Sequence, residues 1–163
     1  MADDKFKLGI LTISDTGSQG KRQDTSGDAI SEVMGHEGFD EVVRDIVPDE
    51  RDIISAKLVE WCDGGTLDLV LTTGGTGLGP RDITPEATRD VLDIEIPGIA
   101  EAMRIQTLKN TPLAMLSRSM AGVRSGCMIV NLPGSEKAVR ETLAVATEAI
   151  PHGLQMVKGW RMH

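Results

Sequence analysis

Between Leu67 and Asp82 the chain reads LDLVLTTGGTGLGPRD. A nearly continuous apolar run, broken at Asp68, passes directly into a segment with glycine at positions 74, 75, 77 and 79. The apolar run suits a strand buried on both faces. The glycines remove side chains where the chain leaves that strand, so backbone N–H groups can turn toward an anion. A helix start follows at Thr84-Pro85-Glu86, with Thr84 as N-cap, Pro85 at the first helical position and Glu86 in the first turn. Strand, glycine loop and helix in immediate succession point to an α/β domain whose ligand sits at the carboxyl end of a parallel sheet.

The rest of the chain repeats the alternation. Residues 6–14 read as a buried strand ending in a polar loop over 15–25, and Ala29, Ile30 and Val33 put a helix over 26–35. Residues 39–47 form a second strand, and Ile53, Ile54, Leu58 and Trp61 recur at helical intervals after Asp49. Pro97 opens a helix with Ile99, Met103 and Leu108 inward. Residues 113–116 and 127–132 read as two further strands, separated by a polar segment over 117–126. Ser135 caps a long helix with Val139, Leu143, Ala146 and Ile150 on one face. The expected architecture is one α/β domain over 1–163, with a mostly parallel sheet covered by helices on both sides.

Composition limits the ligand. A net charge of −8 opposes binding to nucleic acid or anionic membranes, which depends on Lys and Arg neutralising phosphates. With no Tyr, two Phe and two Trp, there is little on which bases could stack. No apolar run reaches the roughly 18 residues that span a bilayer. The acidic start ahead of a short apolar run is unlike a secretory signal, so a cytoplasmic address is expected. Cys62 and Cys127 read as buried reduced thiols, and His36, His152 and His163 as scattered surface or cap residues.

Two corners favour anions. The first is the glycine loop: Gly74, Gly75 and Gly77 supply close backbone, Arg81 can clamp a phosphate oxygen, and Asp82 can hold Mg²⁺ or a ligand amide. No GK[ST] follows and no GxGxxG occurs, so neither a Walker site nor a dinucleotide fingerprint is present. The second is Asn131-Leu132-Pro133-Gly134-Ser135, where a strand end meets a helix N-terminus. Lys137 lies in that helix's first turn, against the dipole, which an anionic ligand would explain. Asp49 reads by capping logic as a helix N-cap, with a site carboxylate as the alternative. Asp15 and Asp24 lie in a polar loop on the same sheet edge, and Ser117 and Arg118 are further loop candidates.

The run TTGGTGLGPRDITPEAT over 72–88, with Asp68 before it, resembles the signature of the MogA/MoaB molybdopterin adenylyltransferase family, shared with the gephyrin G domain. ISD at 13–15, VPDE at 47–50, Pro97-Gly98, AMLSRS at 114–119, Ala121-Gly122 and NLPGS at 131–135 extend the likeness over nearly the whole chain. The resemblance implies a three-layer molybdopterin-binding α/β/α fold assembled as a homotrimer. It implies adenylyl transfer from MgATP to the terminal phosphate of molybdopterin, with contact to a molybdenum insertase. By position it implies Asp49 and Asp82 as the catalytic, Mg²⁺-handling carboxylates and Asp24 as a third. Gly75, Thr76 and Gly77 would form the nucleotide-side loop, and Thr107, Ser117 and Asn131 would line the pterin and phosphate pocket. Thr107 stands where the family has Ser, which keeps the hydroxyl. A non-catalytic pterin-binding carrier or scaffold with the same fold is the alternative.

Overall fold

The computed structural model describes residues 5–159; the acidic start at 1–4 and His163, both read above, lie outside them. The strands are β1 (Lys7–Ile13), β2 (Asp40–Val47), β3 (Leu69–Thr73), β4 (Ile94–Glu95), β5 (Ala121–Arg124) and β6 (Cys127–Leu132). They form one sheet in the order β2-β1-β3-β6-β5-β4. The first four in that order run parallel, while β5 and β4 are antiparallel additions at one side.

Alternation along the parallel strands makes two cores. Leu8, Ile10, Leu69, Leu71, Met128, Val130 and Leu132 face one side. There they meet α2 (Thr25–His36), α5 (Pro97–Thr107), α6 (Glu136–Ala146) and α7 (Ile150–Val157). Leu11, Ile13, Val70, Cys127 and Ile129 face the other side, against α3 (Arg51–Asp63) and α4 (Thr84–Arg89). The result is three layers, helix on sheet on helix. Ile10 and Leu71 are fully buried, and each such side chain contributes roughly 1.5–3 kcal/mol. Cys62 and Cys127 are buried and free; His36 and His152 are exposed.

Five expectations need correction. Residues 113–116 are not a strand but part of a 3₁₀ turn, Pro112–Leu116; Leu113, Met115 and Leu116 are exposed, so no sheet face claims them. The supposed loop over 117–126 contains β5, joined to β6 by the two-residue turn Ser125-Gly126, both at positive φ, which is the backbone a tight hairpin prefers. The polar loop over 15–25 begins with a short helix, α1 (Asp15–Ser18). The helix begun at Ser135 stops at Ala146 and restarts as α7, because Pro151 has no N–H with which to continue the ladder. Leu108, read as inward, and Ile53, read as part of the helical stripe, are exposed.

Candidate functional site

β1, β3 and β6 lie side by side and parallel, so their carboxyl ends open on one edge of the sheet. β1 leads into Ser14, whose Oγ accepts from Gly17 N at 3.0 Å. β3 leads into the glycine loop. β6 leads through Pro133 and Gly134 to Ser135, whose Oγ accepts from Ala138 N at 3.2 Å and caps α6.

The glycine loop is fastened by hydrogen bonds. Gly74 N donates to Leu132 O at 3.2 Å and Thr84 N to Gly75 O at 3.1 Å, while Thr84 Oγ1 donates to Gly74 O at 2.9 Å. Thr84 is thus spent on the loop, and Ile83 stands as the N-cap of α4 with no side-chain bond. Gly74 and Gly75 have φ of 101° and 71°; a Cβ at the first would strike Ile13 O and at the second Thr84 Oγ1. Arg118 closes the far side: its Nε donates to Gly77 O at 2.8 Å, its Nη2 to Asp82 O at 2.8 Å, and its Nη1 to Glu86. Among the described residues no protein acceptor takes the N–H of Gly75, Thr76 or Gly77. Three backbone donors on a hydrogen-bonded loop are therefore left for a ligand, as an anion cradle requires.

A cavity lies on either side. One, of about 310 Å³, is polar and carries Asp24, Asp49, Asp82, Gly74, Gly75 and Gly134 on its walls. The other, of about 450 Å³, is mostly apolar, with Met103, Leu113, Leu116 and Pro133 among its lining beside Thr76, Thr107 and Ser117. Ser135 lines both.

Asp49 is not a helix cap. Glu50 holds the N-cap position of α3 without a side-chain bond, and Asp49 exchanges hydrogen bonds with Asp15 instead. Asp15 N donates to Asp49 Oδ2 at 2.9 Å, and Asp49 N donates to Asp15 Oδ1 at 3.0 Å. Burial, then the charges of Asp15 and Asp82, push the Asp49 carboxyl above its ordinary range. Asp15 is held below its range by hydrogen bonds from Arg81 and then from Asp49 N. Asp24 caps α2 through Gly27 N at 3.0 Å and accepts from Thr12 Oγ1 at 2.9 Å. Asp82 accepts from Gly79 N at 2.9 Å.

Arg81, Lys137 and Asn131 line neither cavity. Arg81 is exposed and pairs with Asp15 and Glu50 at 3.0 and 2.9 Å rather than lining either cavity. Lys137 is exposed on the first turn of α6. Asn131 is fully buried behind the loop; its Nδ2 donates to Thr72 Oγ1 and Thr88 Oγ1, each at 3.0 Å, and its Oδ1 accepts from Met120 N. Thr107 lines the apolar cavity while its Oγ1 donates to Met103 O at 2.6 Å. Sequence reasoning missed Arg104, Ser119 and Glu141 on the apolar cavity and Thr12 and Ser26 on the polar one. Ala100, Arg104 and Thr107 at helical spacing were the available signal.

The profile of a family described as a probable molybdopterin binding domain matches residues 9–152. The chain belongs to that molybdopterin-binding family. A family relative named molybdopterin adenylyltransferase, from Helicobacter pylori, is 46% identical over 154 residues, covering 93% of this chain and 88% of its own. The molybdenum cofactor synthesis protein cinnamon of Drosophila melanogaster is 42% identical over 155 residues, but this chain spans only 26% of it. Among solved structures of the family, the molybdopterin biosynthesis enzyme MoaB from Thermus thermophilus superposes with a TM-score of 0.89 at 51% identity, covering 96% of this chain and 99% of that one.

Proposed function

We propose that this chain, as one molybdopterin-binding unit over 1–163, transfers the adenylyl group of ATP to the terminal phosphate of molybdopterin and releases pyrophosphate. The observation that carries the reading is the pair of cavities meeting at Ser135, one polar and rich in carboxylates, the other apolar. A phosphate-bearing pterin in the apolar cavity and a nucleotide in the polar one bring their phosphates together at the N-terminus of α6, where free N–H groups and the helix dipole favour negative charge. In the reaction an oxygen of the pterin's phosphate bonds to the α-phosphorus of ATP, and the bond from that phosphorus to the bridging oxygen of pyrophosphate breaks. The attacking oxygen is already anionic, so no strong base is required. The chain's contribution is alignment and a fixed set of donors from Gly75, Thr76 and Gly77.

Asp49 and Asp82 are the residues that would hold Mg²⁺. Both offer hard oxygen donors to one cavity, and a cation there would offset the burial and, after it, the repulsion from Asp15 and Asp82 that raise Asp49. Among the described residues no cluster of three ligating side chains is preassembled, which suits an ion that completes its shell with nucleotide oxygens and water. When bound, Mg²⁺ would neutralise the triphosphate and stabilise the departing pyrophosphate.

The reading extends to a homotrimer in the cytoplasm that passes its product to a molybdenum insertase. Exposed Ile105, Leu113 and Met115, at 65–67% accessibility, are apolar surface suited to self-association, which light scattering would measure as three times the chain mass. The decisive experiment incubates the protein with molybdopterin and MgATP and follows pyrophosphate and adenylylated pterin, expected in equal amounts. No turnover, or full turnover by Asp82→Ala, would leave a pterin-binding carrier instead.

A further inference from the structure

Two charged side chains line the apolar cavity, Arg104 from α5 and Glu141 from α6. Both are half-buried, and among the described residues neither has an ion-pair partner. Arg44, Arg51, Arg81, Arg118, Arg124 and Arg140 all meet carboxylates, and Arg22 and Arg89 are exposed. Arg104 alone among the described arginines is partly buried and unpaired. It is not loose: its Nη1 donates to Ser119 O at 2.9 Å and Ser117 O at 3.4 Å, leaving the rest of the guanidinium for something else. Arg104 also lines a neighbouring polar cavity with Glu95, Glu101 and Arg118, so it stands in the wall between the two; a guanidinium and a carboxylate on one apolar cavity that do not join each other can offer donors and acceptors to a guest.

Resting on the proposed function, we infer that Arg104 and Glu141 are specificity-determining residues that read the 2-amino-4-oxopyrimidine ring of the pterin. That ring carries two parallel donors, the 2-amino group and N3–H, which match a carboxylate in bidentate fashion, and beside them a carbonyl oxygen that matches a guanidinium. Position along α6 agrees. Ser135, at the wall shared with the polar cavity, lies six residues before Glu141, roughly 9 Å along a helix. A pterin with its phosphate at Ser135 thus reaches Glu141, and Arg104 lines the same cavity from α5.

The test uses two phosphate-free fluorescent probes, pterin and lumazine, which differ in that lumazine has an oxygen in place of the 2-amino group. Wild-type protein is expected to bind pterin about tenfold more tightly than lumazine, since a lost hydrogen bond to a charged group costs about that much. Glu141→Gln should bring the two probes within about threefold, and Arg104→Lys, which keeps the charge but not the planar fork, should weaken both by about tenfold. Unchanged circular dichroism and unchanged MgATP affinity confirm that the variants fold. Equal binding of the probes by wild type, or retention of the preference in Glu141→Gln, overturns the inference. If wild type shows this preference yet releases no pyrophosphate, adenylyl transfer fails and the ring-reading stands. If it turns over molybdopterin with KM unchanged in both variants, the ring-reading fails and adenylyl transfer stands.

Discussion

Asp82 combines two duties that substitution can separate. Its carboxylate accepts from Gly79 N at 2.9 Å, tightening the glycine loop, and it also lines the polar cavity. Asp82→Asn keeps an oxygen acceptor and removes the charge, whereas Asp82→Ala removes both. The expected outcome is a loss of turnover of about 10²-fold in each, measured as pyrophosphate release, because a group aimed at developing charge has that weight. Only the alanine variant should also melt measurably earlier by calorimetry. Equal melting of the two variants would show that the loop does not need this acceptor. Gly75 is the complementary case, at φ 71° with Thr84 Oγ1 where a Cβ would go. Gly75→Ala should cost roughly 1–3 kcal/mol in denaturant unfolding and displace the N–H groups beside it. Residue roles were unevenly legible in the sequence. The glycines announced themselves, since nothing else explains four so close after a buried strand. Asn131 was read as a strand-end polar residue and, by resemblance, as a pocket residue; it is buried and on neither cavity wall, and its real surroundings, Thr72 and Thr88 on other elements, depend on pairing that local spacing does not encode.

At the scale of elements, α4 is a brace for the glycine loop as much as a helix. Glu86 in its first turn pairs with Arg118, which in turn holds the carbonyls of Gly77 and Asp82. The hydrogen bond from Arg118 keeps the Glu86 carboxyl below its ordinary value of 4.5. A depressed carboxyl lends stability that is present above that ordinary value and is lost as pH falls through the folded one. Glu86→Gln should therefore cost about 1 kcal/mol at neutral pH, a modest figure because the pair is partly solvated. The gap between wild type and variant, followed by urea unfolding across pH, should shrink on acidification below 4.5. A gap that widened in acid would contradict the pairing. The sequence made most elements readable because strong periodicity and helix-start residues coincide, as at Ser135 and Pro97. It misled at Leu113–Leu116, where apolar residues face solvent at 47–67% accessibility. It hid β5, a four-residue strand that exists only because the turn at Ser125-Gly126 folds it onto β6.

For the whole molecule, the parallel order of β1, β3 and β6 brings together segments from 12–26, 73–82 and 131–135 that are remote in sequence, and so builds two cavities around one loop. That arrangement predicts how ligands couple to folding. Each ligand that binds only the native state adds RT ln(1 + [L]/Kd), about 2.7 kcal/mol at one hundred times Kd. For a chain of this size that is a rise of roughly 5–10 °C in melting temperature. A non-hydrolysable ATP analogue with Mg²⁺ and a phosphate-free pterin should each raise the melting temperature alone, and together should raise it further, since they occupy different cavities. Phosphate on the pterin alters the balance, because its charge then approaches the nucleotide's across Ser135. The combined shift should fall below the sum when Mg²⁺ is withheld and recover when it is restored, as the like charges are screened only with the cation present. Mutual exclusion of the analogue and the phosphate-free pterin would instead mean that both compete for one cavity, and the separation of the two sites by the glycine loop would have to be abandoned.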